Sequence, residues 1–79
     1  MRLDKYLKVS RIIKRRTVAN EACDAGRVKV NGKVAKASLE VKAGDTLEIS
    51  FGNGTVNARI LTVKETVKKD EAREMYEII

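Results

Sequence analysis

Residues 25–36 read AGRVKVNGKVAK, and these twelve positions carry the signals for a helix end, a strand and a hairpin. Gly26 follows a helical pattern, and glycine adopts the left-handed backbone of a helix end without the steric cost of a Cβ. Beyond it, valines alternate with polar residues, which is the period of a half-buried strand. Asn31-Gly32 is typical of a two-residue hairpin turn because both residues tolerate positive φ. The stretch therefore predicts a helix followed at once by a β-hairpin.

Two helical patterns precede the hairpin. Leu3, Tyr6 and Leu7 stand at i, i+3, i+4 spacing and predict a short amphipathic helix. Thr17 occupies the expected N-cap position of a second helix. The apolar stripe of that helix consists of small residues: Val18, Ala19, Ala22, Cys23 and Ala25.

The second half of the chain predicts further strands and one more helix. Residues 46–50 alternate in polarity, and residues 55–63 do so again after the turn at 52–54. Residues 68–79 place apolar side chains at i, i+3, i+4, i+7, the pattern of a terminal amphipathic helix. The predicted order is α-α-β-β-β-β-α in one domain, hence an α+β fold with a small antiparallel sheet.

The positive charge is concentrated in the first half of the chain. Residues 1–36 hold eleven Lys/Arg and three Asp/Glu, a net charge of +8, whereas residues 37–79 hold six and eight, a net charge of −2. A protein that is merely soluble does not need such segregation, so the asymmetry indicates a polyanion bound by one face. Nucleic acid is the first candidate and an anionic membrane surface the second.

The composition argues against catalysis and against a metal site. With one cysteine and no histidine, a zinc site of the usual Cys/His kind is excluded, and Cys23 is interpreted as a small buried apolar residue. The chain shows no nucleophile paired with a base and no shielded pair of carboxylates. We therefore expect a binding module without a cofactor. The N-terminus lacks the apolar segment of a signal peptide, which predicts a cytoplasmic protein that does not enter membranes.

The densest cationic segment is SRIIKRRT at residues 10–17, just before the second helix. Its cationic side chains either extend into solvent or bind phosphates, and the overall charge asymmetry favours phosphate binding. Alternation places the cations of the hairpin, together with Asn31, on one predicted face, where contact with nucleic acid and simple exposure remain equally open. The candidate RNA-binding residues are Arg2, Lys5, Arg11, Lys14, Arg15, Arg16, Arg27, Lys29, Lys33 and Lys36.

Aromatic side chains are too few for base-by-base stacking on a single strand. Recognition of the backbone and shape of folded RNA fits better, with duplex DNA left open. Asp4 is the only acid in the first helix, and we interpret it as an ion-pair partner that orients a nearby cation or as a first-turn acid favouring the helix dipole.

Five motifs follow one another from the N-terminal end: RLDKYL at 2–7, SR at 10–11, KRRT at 14–17, GRVKVNG at 26–32 and VKAGD at 41–45. In this order and spacing they resemble the S4 RNA-binding domain. The resemblance runs from residue 1 to about residue 49. It implies an αL-like fold in which two helices and the following hairpin form an RNA-binding face. Residues 1–50 would then be the S4 domain, and residues 51–79 a strand and helix extension packed on it.

A stand-alone S4 domain with FGNG at 51–54 and KKDEAREMYEI at 68–78 resembles the family of ribosome-associated quality-control factors, kin of the fifteen-kilodalton heat-shock proteins. This resemblance implies a monomeric, non-catalytic factor that binds 23S rRNA and peptidyl-tRNA on stalled large ribosomal subunits. Its partner would be the elongation factor that adds C-terminal alanines. Two alternatives remain open: an RNA-binding accessory acting in trans for an RNA-modifying enzyme, and a binder of DNA or membrane surfaces.

Overall fold

The computed structural model describes residues 1–65 and 67–79. Across these residues, two helices precede a five-stranded antiparallel sheet with strand order β2-β1-β3-β4-β5, so the α+β prediction is confirmed. The elements are α1 (Leu3–Val9), α2 (Arg16–Asp24), β1 (Val28–Val30), β2 (Lys33–Val34), β3 (Thr46–Phe51), β4 (Gly54–Ile60), a 3₁₀ turn (Ala72–Met75) and β5 (Tyr76–Ile78). Among the described residues, no helix is long and apolar enough to cross a bilayer.

The core lies between the two helices and one face of the sheet. Alternate residues of β1, β3 and β4 point inward and are buried, as the period of two predicts. Leu47 pairs with Val30 on one side and with Ala58 on the other, which fixes the register of the three central strands. The apolar stripe of α1 packs on this face, and its three members Leu3, Tyr6 and Leu7 are fully buried.

Both ends of α2 test the capping predictions. Gly26 has φ 74°, and its N–H donates to the Cys23 carbonyl, so the predicted glycine helix end is confirmed. The predicted Thr17 N-cap is wrong, because α2 begins at Arg16 and its N-cap is Arg15, which makes no side-chain capping bond. Thr17 therefore lies inside the first turn, where its N–H is one of the donors that a cap would satisfy.

The hairpin turn forms where Asn31-Gly32 predicts it, with φ values of 53° and 83°. Val30 pairs directly with Lys33 across this turn. Paired residues of antiparallel strands share a face, so Lys33 lies on the face of Val30 and not on that of Lys29. The prediction of a single cationic hairpin face is wrong for Lys33, because a two-residue turn brings paired residues back onto the same face.

The Asn31 side chain connects the hairpin turn by hydrogen bonds to the loop that precedes β3. Its Nδ2 donates to Asp45 Oδ1 at 3.1 Å, and its Oδ1 accepts from the N–H and the hydroxyl of Thr46 at 3.0 and 3.2 Å. Asp45 is buried and also accepts the N–H of Lys42 at 3.0 Å. The VNG and KAGD motifs therefore form one hydrogen-bonded unit that fixes the hairpin on the domain.

Replacing Asn31 with alanine should lower the free energy of unfolding by about 2 kcal/mol, since three side-chain hydrogen bonds are lost and alanine is strained at positive φ. Asn31→Gly loses the same bonds without the strain and should lose less. Urea unfolding at neutral pH measures both variants. Equal midpoints for the wild type and Asn31→Ala would contradict this structural role.

The predicted C-terminal helix is absent. Ala72 and Met75 are buried at the predicted i, i+3 spacing, but only as a single 3₁₀ turn. From Tyr76 onward the chain is extended and pairs with β4, with Tyr76 opposite Ile60 and Ile78 opposite Ala58. The free edge of β4 offers backbone hydrogen bonds to an aromatic and β-branched sequence that suits a strand, so tertiary pairing overrides the helical periodicity.

Tyr6 ties α1 to this C-terminal segment. Its hydroxyl donates to the carbonyl of Met75 at 2.8 Å in the interior. Burial raises the pKa of the Tyr6 phenol, with a smaller contribution from Tyr76, so the group stays a neutral donor at physiological pH. The start of the chain and the segment after β4 therefore share one buried hydrogen bond.

Candidate nucleic-acid interface

Asp4 is the centre of the arginine-rich part of the surface. The residue is 2% exposed, and its carboxylate accepts the N–H of Lys5 at 2.8 Å and the amide of Asn20 at 3.3 Å. Arg2 approaches it to 3.3 Å from one side, and Arg16 to 3.4 Å from the start of α2. The interpretation of Asp4 as an ion-pair partner is confirmed, and one buried carboxylate joins two cations from different elements.

The pKa of Asp4 determines whether its carboxyl group is ionised at neutral pH. Desolvation by burial alone would raise this pKa, but hydrogen bonds from Arg16, Asn20 and the Lys5 N–H, with the charge of Arg16, bring it below the ordinary value. The carboxylate is therefore ionised at neutral pH. It fixes Arg2 and Arg16, whose side chains remain 47% and 48% exposed.

Lys36 lies near the residues around Asp4. It lines an open groove of about 560 Å³ between α2 and the segment after β2, and Arg2 and Asn20 line the same groove. Arg15 is exposed at the N-cap of α2, directly before Arg16. The structure thus brings three of the predicted residues together: Arg2 and Arg16 meet at Asp4, and Lys36 lines the groove that Arg2 also lines.

Lys5 has a partner that the sequence analysis did not identify. Its ammonium forms an ion pair with Glu65, which lies in the segment between β4 and the 3₁₀ turn. The hydrogen bond from Lys5 and its charge lower the pKa of Glu65. The two residues are sixty positions apart, so no local pattern relates them.

A second group of cations lies at the end of α1, and we call it the basic notch: Lys8, Arg11 and Lys14. These residues surround a space of about 160 Å³, which is also lined by Val9, Glu65 and Val67. Arg11 and Lys14 were predicted, whereas Lys8 was missed. The spacing Lys5, Lys8, Arg11, Lys14 repeats every third residue, and this regular spacing is the signal that could have identified Lys8.

Arg11 has φ 63°, a left-handed conformation that is costly for a residue with a Cβ. It follows the C-cap of α1, and its N–H donates to the Lys8 carbonyl. Glycine usually occupies this position after a helix. The backbone strain, of roughly 1–2 kcal/mol, comes from the presence of a side chain at this position.

The hairpin cations are spread over both faces of the sheet. Lys29 lies on the outward face and pairs with Glu48 at 3.5 Å. Lys33 lies on the opposite face, beside Val30, and Arg27 is exposed just before β1. The structure therefore does not gather Arg27, Lys29 and Lys33 into one patch.

Cys23 is buried in α2, as expected of a small apolar residue. Desolvation, with smaller contributions from the charges of Asp4 and Asp24, raises the pKa of its thiol to about 11. The thiol is therefore protonated and unreactive at neutral pH. Across residues 1–65 and 67–79, no group of three side chains could hold a metal ion.

Comparisons with known proteins identify the family. The S4 domain family matches residues 1–47. The RQC P-site tRNA stabilizing factor of Streptococcus pneumoniae is 60% identical over 79 residues, covering 100% of this chain and 90% of that protein. The protein of the same name from Halalkalibacterium halodurans is 60% identical over 78 residues, covering 99% and 89%. This chain belongs to their family.

Solved structures agree with this assignment. The trimeric structure of Vibrio cholerae Heat Shock Protein 15 superposes with a TM-score of 0.93 at 29% identity, covering 100% of this chain and 81% of that one. The family match confirms the S4 resemblance, and this superposition confirms the kinship with the fifteen-kilodalton heat-shock proteins. RQC P-site tRNA stabilizing factors are named for stabilising a tRNA, a non-catalytic role, and the prediction of a non-enzyme is confirmed for the family.

The S4 match includes the cations of the candidate interface but not Glu65. Residues 1–47 contain the arginines around Asp4, the basic notch and the hairpin. Glu65, which contacts Lys5 and lines the notch, lies beyond the match. In this chain the cations thus lie within the S4 match, and the acid beside them comes from the segment that follows it.

Proposed function

We propose that the chain is a non-catalytic factor that binds peptidyl-tRNA and 23S rRNA on stalled large ribosomal subunits. In that position it supports the addition of C-terminal alanines by a partner elongation factor. The observation that carries the proposal is the similarity, over the whole chain, to proteins named for stabilising a P-site tRNA. The role implies a cytoplasmic location, and we propose that one copy acts alone.

The arginines held by Asp4 supply a physical basis for binding a phosphate backbone. Two guanidinium groups converge on one buried carboxylate, so their positions are fixed before RNA arrives. Side chains that are already ordered lose less conformational entropy when they bind. Arginine also donates two parallel hydrogen bonds to a phosphate, which makes Arg2 and Arg16 the proposed centre of RNA contact.

The aromatic residues support recognition of backbone and shape. Tyr6 is fully buried and Tyr76 is half-buried, whereas Phe51 is 41% exposed. One exposed ring does not form a platform for successive bases. A folded RNA with its phosphates displayed, such as a tRNA or an rRNA helix, suits this surface.

The proposal predicts that the protein sediments with large ribosomal subunits from cell extracts and cross-links to peptidyl-tRNA. Cells lacking the protein should lose alanine tails on stalled chains and regain them with the wild-type protein. A variant with both Arg2 and Arg16 replaced by alanine should fail to restore the tails, because phosphate contacts are lost. Arg59→Ala, which removes an arginine paired with Glu77 on the outward sheet face, should restore them.

Recovery of the protein only at the top of the gradient, even at low salt, would overturn the proposal. Isolation of an RNA-modifying enzyme in place of ribosomal subunits would favour an accessory role acting in trans.

A further inference from the structure

We propose that the basic notch is a second phosphate-binding site, and that Glu65 is an acidic residue at its rim that weakens phosphate binding there. The ligand is a phosphodiester of folded RNA, bound apart from the arginines that Asp4 holds. This inference rests on the proposed function and adds a separate contact to it. Lys8, Arg11 and Lys14 are the residues that would contact the phosphate.

The size and charge of the notch suit a phosphate. Its space of about 160 Å³ is about five times the share of one water in the liquid, enough for a phosphate group with some of its solvent. Within residues 1–65 and 67–79, none of its three cations forms an ion pair. Three like charges around one small space repel one another, and an anion between them relieves that repulsion.

The backbone of Arg11 is an independent observation that points to a ligand. Glycine at this position would remove the strain of positive φ, yet the chain has an arginine that lines the notch. Strain of this kind persists when the side chain contributes something that compensates for it. Because the structure shows no ion pair of Arg11 among the described residues, binding an external anion accounts for the arginine.

Glu65 is held at the rim by Lys5, which precedes Lys8 by one turn of α1. Its carboxylate is exposed and ionised, so it repels an incoming phosphate and also neutralises Lys5. Removing this single charge should therefore strengthen RNA binding. Glu65 thus limits how tightly the notch holds RNA, which suits a factor that has to dissociate.

The test measures binding to two probes, an unmodified tRNA transcript and purified vacant large ribosomal subunits. Arg11→Gly and Lys14→Ala should each weaken binding about threefold to at least one probe, as expected for an exposed charge. The probe that responds identifies the RNA that enters the notch. Arg11→Gly should also leave the melting temperature unchanged or raise it, because the backbone strain is relieved.

Glu65→Gln should strengthen binding to the same probe about threefold at low salt, and the gain should vanish at high salt. Glu77→Gln removes an equal charge on the outward sheet face, where Glu77 pairs with Arg59, and should leave binding unchanged. An equal gain with Glu77→Gln would show that only the overall charge matters and would overturn the role of Glu65.

If Arg11→Gly and Lys14→Ala both bind the two probes as the wild type does, the notch is not a phosphate-binding site. If Arg16→Ala nevertheless weakens binding, the proposed function stands without the second site. If Arg16→Ala also binds both probes like the wild type, the proposed function fails together with the notch.

Discussion

Arg16→Ala is expected to weaken binding to a tRNA transcript about tenfold, with only a modest fall in melting temperature because Asp4 keeps its contacts to Arg2, Asn20 and the Lys5 N–H. Loss of one charge-assisted hydrogen bond to a phosphate corresponds to about 1.4 kcal/mol, a factor of ten. The slope of log Kd against log salt concentration should fall by about one unit, because one phosphate contact is lost. Titration at several salt concentrations measures both quantities.

Arg59→Ala is the matched control for this prediction. The Arg59 side chain is 48% exposed, as is that of Arg16, and both form an ion pair with an acid. If the charge of the protein as a whole drives binding, both variants will weaken it equally, and the assignment of Arg16 to the interface will be wrong. A large fall in melting temperature for Arg16→Ala would instead show that Arg16 mainly stabilises the fold.

Asp4→Ala is expected to impair stability and RNA binding together. Loss of the hydrogen bonds to this buried carboxylate should lower the free energy of unfolding by about 2 kcal/mol and the melting temperature by roughly 8–16 °C. Binding should weaken at a temperature where the variant is fully folded, because Arg2 and Arg16 lose the group that orients them. Urea unfolding and tRNA titration at 10 °C separate the two effects.

The pH dependence supplies a further check on Asp4. Its pKa is lower in the folded protein, so its stabilising contribution is present above the ordinary value of about 3.9 and is lost as the pH falls through the folded value. The difference in stability between the wild type and Asp4→Ala should therefore be constant from pH 7 to about 5 and shrink below about pH 4. A difference that persists undiminished at pH 2 would show that the charge of Asp4 is not what stabilises the fold.

Local signals in the sequence predict the elements of the first half of the fold, although not the residue at which α2 begins. Gly26 and Asn31-Gly32 act through their own backbone conformations, so the helix end and the turn follow from residue type. Strand β5, where the sequence predicts a helix, could not be predicted, since it forms by pairing with the free edge of β4. A pattern within residues 68–79 contains no information about that edge.

The candidate site shows the same division. Arg2, Arg16 and Asp4 were identified from charge and spacing, and their meeting follows from the packing of α1 beside α2. Glu65 was not identified, because its place beside Lys5 depends on the path of the chain after β4. Contacts between distant residues that are exposed on the surface leave no periodic trace in a sequence.

The hydrogen bond from Tyr6 to Met75 has a consequence for the order of events during synthesis. The first helix leaves the ribosome early, but its buried hydroxyl gains its acceptor only when residue 75 has emerged. Until then α1 lacks part of the interior against which it packs, since Met75 belongs to the core. A nascent copy therefore completes the packing around α1 only after the segment around residue 75 has emerged.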